Sequence, residues 1–129
     1  MHQIKNIHNK GKELEQMYQM VQEAMRLLSK NKILDFGTLL HESWQIKRQL
    51  SEKITTSYID DIYASARSAG AIGGKLLGAG GGGFVLLFAP PGTQKKIKEK
   101  LKKLLLVPFK FESLGTQIIF YQPNGDYER

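Results

Sequence analysis

The sequence predicts an α+β fold, with helices packed on one face of a mainly antiparallel sheet. Three observations predict it. Up to Gly70 the apolar residues recur only at helical spacing; after Gly70 they gather into short strand-like runs; and a single lysine-rich amphipathic segment separates those runs into two pairs. The expected order is three helices, then strand, strand, helix, strand, strand.

The first helix rests on Leu14, Met17, Tyr18, Val21, Met25 and Leu28, which form one apolar stripe, with Lys30-Asn31-Lys32 as its stop. A second starts near Asp35, a residue suited to an N-cap, and carries Phe36, Leu39, Leu40, Trp44, Leu50 and Ile54. The third opens on Ser57, which with Asp60 matches a capping box. Ile59, Ile62, Tyr63 and Ala66 supply its apolar stripe, and Gly70 stands where a C-terminal glycine belongs.

Ala71 to Leu77 is expected as a short strand. Phe84 to Ala89 is a continuous apolar run of the buried-strand type, ended by Pro90-Pro91-Gly92. A helix capped by Thr93 follows. Ile97, Leu101, Leu104 and Leu105 form its inner stripe, and six lysines lie between Gln94 and Lys103. Phe109 to Glu112, which alternates, and Gln117 to Tyr121, before Pro123-Asn124-Gly125, are the last two expected strands.

Composition narrows the function classes. The chain has 129 residues and 41% hydrophobic content, enough for one domain with a core of its own. It has no cysteine, which excludes disulfides and thiolate metal sites. No run of eighteen apolar residues occurs and the Met1 end lacks a signal peptide's apolar region, so no membrane partner and a cytoplasmic location are expected. The net charge of +7 suits any anionic partner, and much of it lies on the lysine helix. No aromatic residue interleaves with those lysines to stack bases, so they read as a solvated face and nucleic acid is not expected. His2, His8 and His41 have no metal-ligand spacing, and no protein-held metal is predicted.

Seven of the thirteen glycines fall between Gly73 and Gly83, beside Lys75. Glycine at such density is expected where the main chain takes positive φ or approaches another group closely, and successive backbone N–H groups there can hold an anion. Gly78-x-Gly80-x-x-Gly83 satisfies a dinucleotide-binding pattern, but a strand follows where that fold needs a helix. The same glycines with Val85 fit a protein-kinase glycine loop, yet no H-R-D or D-F-G follows. Gly74-Lys75 lacks both the first glycine and the Ser/Thr of a P-loop, since Ala69 and Leu76 stand there. An RNA-recognition strand would need the aromatic of Phe88 one residue away, and a one-residue slip turns it to the opposite face.

The segment Gly74-Lys75-Leu76-Leu77-Gly78-Ala79-Gly80-Gly81-Gly82-Gly83-Phe84 resembles the third motif of the GHMP small-molecule kinases. Asp35 to Trp44, Ile59 to Tyr63, Ala69 to Lys75, Pro108 to Glu112 and Gly115 to Tyr121 are similar to the sugar-kinase branch that phosphorylates D-glycero-D-manno-heptose 7-phosphate. The resemblance runs from about Leu14 to Tyr121. It implies that residues 1–129 are a single GHMP kinase C-terminal domain, a ferredoxin-like sandwich with a four-stranded sheet and additional N-terminal helices. The family's N-terminal nucleotide-binding domain, with its Pro-x-x-x-Gly-Leu-Gly-Ser-Ser loop, has no counterpart in these residues.

For the intact enzyme the resemblance implies transfer of a phosphoryl group from ATP, with magnesium, to the anomeric hydroxyl of a sugar phosphate. The partners are then the N-terminal kinase domain, ATP and the acceptor, and the isolated chain is expected to be inactive. Gly78, Ala79, Gly80, Gly81, Gly82 and Gly83 correspond to the loop that lies against the nucleotide-binding half. Lys75 either faces a substrate phosphate or is a solvated strand lysine. His41 and Trp44, three apart on one helix face, make a sugar platform or, for Trp44, a core residue. No catalytic residue is assigned, because the base is expected in the other half. A fucose-type or other sugar kinase, a freestanding anion-binding module and a basic nucleic-acid adaptor are the alternatives.

Overall fold

The computed structural model describes residues 2–50, 56–78 and 83–118, with side chains from residue 11 onward. Among them are four helices, α1 (His2–Ser29), α2 (Ile33–Leu50), α3 (Ser57–Ser68) and α4 (Pro91–Lys100), and two strands, β1 (Gly73–Leu77) and β2 (Phe84–Phe88). The α+β class and the first six elements follow the expected order. The strands pair antiparallel from Gly73 with Phe88 to Leu77 with Phe84.

Helix α1 ends as the Lys30-Asn31-Lys32 signal predicts. Asn31 takes φ of 56°, a left-handed value asparagine tolerates, while the Lys32 and Asn31 amides return to the carbonyls of Leu27 (2.8 Å) and Leu28 (3.1 Å). That reversal lays α1 along α2. The expected apolar stripe, however, is not the buried one. Leu27 is buried and Met17 and Met20 half-buried, whereas Leu14, Tyr18, Val21, Met25 and Leu28 stand 49–64% exposed. A helix packed chiefly on one neighbour buries one narrow stripe, and α1 is apolar over a wider arc than α2 covers.

Strand alternation divides the sheet into two faces. On one face Leu76, Val85 and Leu87 cover a cluster of Trp44, Ile59 and Tyr63. Leu87 also joins Ala89 and Leu101 around a second cluster of Ala66, Ala71 and Ile97, which brings α3 and α4 to that face. On the other face Phe88 meets Phe36 edge-on at 6.2 Å. A Cβ on Gly73 would collide with the Gly37 carbonyl oxygen and come within 3.0 Å of the His41 amide, so the missing side chain lets α2 lie against β1. From that contact α2 runs on beside β1 and delivers Trp44 to the first cluster.

Several local expectations are corrected. The N-cap of α3 is Thr56, whose Oγ1 accepts from the Ile59 amide (3.3 Å), so Ser57 is the first helical residue and makes no capping box with Asp60. Asp60 instead accepts from the Arg48 guanidinium at 2.8 Å. Helix α4 begins at Pro91, whose fixed φ and absent N–H suit the first turn. The Thr93 hydroxyl, inside the helix, donates to the carbonyls of Pro90 (2.9 Å) and Gly70 (3.3 Å).

The four-stranded sheet is reduced to two strands among the described residues. Phe109 to Glu112 forms no ladder, and Phe109 and Phe111 are exposed, edge-on to each other at 5.4 Å. Alternation sets which side chains share a face but supplies no hydrogen-bonding partner. Gln117 and Ile118 are likewise outside any strand, and residues 119–121 of the last expected strand lie outside the described residues, as does Ile54. Among the described residues no helix is long and apolar enough to cross a membrane.

Candidate functional site

The hairpin presents the glycine-rich segment at one end of the sheet. Leu77 and Phe84 close the ladder, and the chain leaves and re-enters it through Gly78 at φ 116° and Gly83 at φ 114°. Side chains rarely adopt such angles, and a Cβ on Gly83 would strike the Leu77 carbonyl oxygen. Both glycines are exposed, as is Lys75 three residues before the turn. Ala79, Gly80, Gly81 and Gly82 lie outside the described residues. At the base of the turn Leu77 is 38% and Phe84 60% exposed, an apolar footing open to a neighbouring surface.

Beside this strand stands a second cation that sequence reasoning did not select. Lys47 of α2 is half-buried, and burial together with the positive charge of Lys75 lowers its pKa below the usual lysine value. Among the described residues neither lysine has a carboxylate partner. A lysine on an amphipathic helix gives no signal by itself; only the packing of α2 on β1 makes it a neighbour of Lys75.

His41 and Trp44 come together through Tyr63 of α3. The Tyr63 ring lies nearly parallel to Trp44 (centroids 4.5 Å apart, 15°) and to His41 (5.8 Å, 11°), and its hydroxyl is 2.8 Å from His41 Nδ1. Trp44 is 6% exposed, inside the cluster under the sheet, and its Nε1 meets no acceptor among the described residues. His41 is half-buried, and desolvation first, then the Arg67 charge, lowers its pKa. Arg67 itself binds the Ala71 carbonyl at 2.9 Å and the Ile72 carbonyl, tying the end of α3 to the start of β1.

The lysines of α4 lie elsewhere. Lys95, Lys96 and Lys100 line a shallow groove with Ser68 and Ala69 at the end of α3, which adjoins the start of β1. The glycine turn follows the other end of that strand, about 15 Å away for five extended residues. Among the described residues no three His, Asp or Glu side chains converge, so no magnesium cage is built from them.

Residues 9–105 match the family model described as GHMP kinases C terminal, and the chain belongs to that family. It is 36% identical to D-glycero-alpha-D-manno-heptose 7-phosphate kinase of Campylobacter jejuni, with 74% of this chain and 31% of that protein covered. It is 33% identical to mevalonate kinase of Pyrococcus abyssi, over 69% of this chain and 27% of that protein. Among solved structures, L. major mevalonate kinase in complex with R-mevalonate superposes with a TM-score of 0.57 at 26% identity, over 78% of this chain and 33% of that one. The chain thus spans less than a third of the curated relatives named here, and they are kinases.

Proposed function

We propose that this chain is the C-terminal part of an ATP-dependent sugar kinase that phosphorylates the anomeric hydroxyl of D-glycero-D-manno-heptose 7-phosphate. The observation that carries the reading is the exposed hairpin end, where Gly78 and Gly83 hold positive φ beside Lys75. In this reading residues 1–129 are one domain, and Gly78 to Gly83 form one wall of a cleft whose other wall is a nucleotide-binding N-terminal domain. The exposed Leu77 and Phe84 support such a neighbour. The heptose phosphate acceptor is favoured because the motif similarity reaches through Asp35 to Trp44 and the closing Phe-Lys-Phe segment. Completion of a ferredoxin-like, four-stranded sheet by Phe109 to Glu112 and Gln117 to Tyr121 belongs to the same proposal, as does a cytoplasmic location.

Phosphoryl transfer depends on alignment and on stabilising charge spread over the transferred group's oxygens, not on a nucleophile from the protein. Backbone without side chains admits a phosphate chain to contact distance, and its amides and Lys75 supply fixed positive potential. ATP supplies the phosphoryl group. Magnesium would be held by the phosphates and the other half, since the described carboxylates do not converge.

The test is transfer from ATP to heptose 7-phosphate, assayed with the purified chain alone and fused behind the N-terminal part of the Campylobacter jejuni relative. Turnover by the fusion and none by the chain alone is the expected outcome. Robust turnover by the chain alone would overturn the split-cleft reading. A folded fusion that phosphorylates mevalonate but not the heptose would reassign the acceptor.

A further inference from the structure

We infer that a second copy of this chain docks along α1, so that two α1–α2 hairpins pair through their α1 helices. Helix α1 carries two apolar seams side by side. Met17, Met20, Ala24 and Leu27 recur at alternating steps of three and four residues, and all four are buried or half-buried where α1 lies along α2. One residue further on, Leu14, Tyr18, Val21, Met25 and Leu28 repeat at the same steps and stand 49–64% exposed. In the sequence this second spacing continues back through Gly11 and Ile7 to Ile4, so it runs along most of α1.

Successive residues of a helix are about 100° apart, so a helix that fills the first seam leaves the second one open. What matches such a seam is another helix. Side chains at steps of three and four stay in line only against a partner of the same period, whose own seam supplies holes for these knobs. Among the described helices α1 alone exposes such a seam. Helix α4 exposes chiefly lysines, and α2 and α3 expose only Ile33, Leu34, Tyr58 and Ala64 of their apolar residues.

Charge and area both favour a like partner. A chain of net charge +7 repels its own copy, but between Lys12 and Leu28 there are two basic and three acidic residues. Arg26 Nε donates to Glu23 at 2.7 Å, and Gln19 Nε2 donates to Glu15 at 3.3 Å. Two copies therefore meet along α1 without the repulsion that the lysines of α4 would cause. The exposed parts of the five seam side chains come to about 500 Å² of apolar surface, a large patch for a monomer. Two copies bury about 1,000 Å², where specific interfaces begin. The product is a four-helix arrangement with the α1 pair at its centre.

The pairing does not depend on the kinase reading, and the experiment is sedimentation velocity of the purified chain from micromolar to millimolar concentration. A reversible monomer–dimer equilibrium is expected. Val21→Glu and Met25→Glu should each weaken it by about a hundredfold or more, because a carboxylate would be buried in the seam. Gln16→Glu, which adds the same charge on the opposite side of α1, should leave it unchanged, and circular dichroism should show all three variants equally helical.

A chain that stays monomeric throughout, a dimer that Val21→Glu and Met25→Glu leave intact, or one that Gln16→Glu disrupts as strongly would each overturn the inference. The fusion with the N-terminal part is sedimented beside it. A fusion dimer broken by Val21→Glu supports the pairing whether or not that fusion transfers phosphate, so the kinase reading can fail alone. A monomeric fusion would give the seam to the N-terminal half and overturn the pairing, with the kinase reading intact.

Discussion

The hydroxyl of Tyr63 and Nδ1 of His41 are 2.8 Å apart, and the two rings are parallel within 11°. With the Arg48–Asp60 ion pair this contact joins α2 to α3, and it sits on a ring stack that continues to Trp44. Replacing Tyr63 by Phe should keep the stack and lose the hydrogen bond, at a cost of about 1 kcal/mol. Tyr63→Ala removes a buried ring and should cost about 3–5 kcal/mol. Urea denaturation measures both, and equal losses would show that the hydroxyl, not the ring, carries the contact.

The lowered pKa of His41 gives stability a definite pH dependence. Its folded-state pKa is below the ordinary value of about 6.5, so below that pH the unfolded chain binds more protons than the folded one. The contribution is complete above about pH 6.5 and is lost as pH falls through the folded pKa. The denaturation midpoint should therefore drop between about pH 7 and pH 5, and His41→Gln should flatten that slope. An NMR titration placing His41 above 6.5 would contradict this.

Close approach at Gly73 distinguishes two glycines of similar appearance. Gly73→Ala puts a Cβ into the Gly37 carbonyl and should destabilise by about 1–3 kcal/mol or more. Gly92→Ala, in α4 with nothing within 4 Å, should be neutral or stabilise by up to about 1 kcal/mol. Thermal denaturation of the two variants checks the contact between α2 and β1 directly.

The cap of α3 is assigned by geometry to Thr56. Thr56→Ala should cost about 1 kcal/mol, whereas Ser57→Ala should stay within about 0.5 kcal/mol. Reversal of that order in urea midpoints would restore Ser57 as the cap.

Under the proposed function, Gly81→Val in the intact kinase should lower kcat by about a hundredfold while shifting stability little, because a side chain would displace the reacting groups. Steady-state kinetics beside a denaturation curve measures the two separately, and unchanged kcat would remove Gly81 from the site.

The helices and the hairpin were legible because their signals are local. Period 3.6 marks α2 and α3, an apolar run bounded by glycine and proline marks β2, and Asn31 lies within the stop signal of α1. Capping was less legible. Thr56 and Ser57 are adjacent and both accept hydrogen bonds, so which one stands outside the first turn depends on how the incoming chain is directed. The glycine turn was visible from composition, while Tyr63 read as one apolar residue among four until α3 brought it between His41 and Trp44.

By itself the sequence determined the element types, the family through its glycine motif, and the concentration of glycine after Lys75. Only tertiary structure decided which stripe of α1 is buried, that Gly37 meets Gly73, and that Lys47 is half-buried. The reason is physical: periodicity reports what a segment could bury, whereas actual burial depends on neighbours distant in the chain whose shapes settle the rotation and depth of each contact.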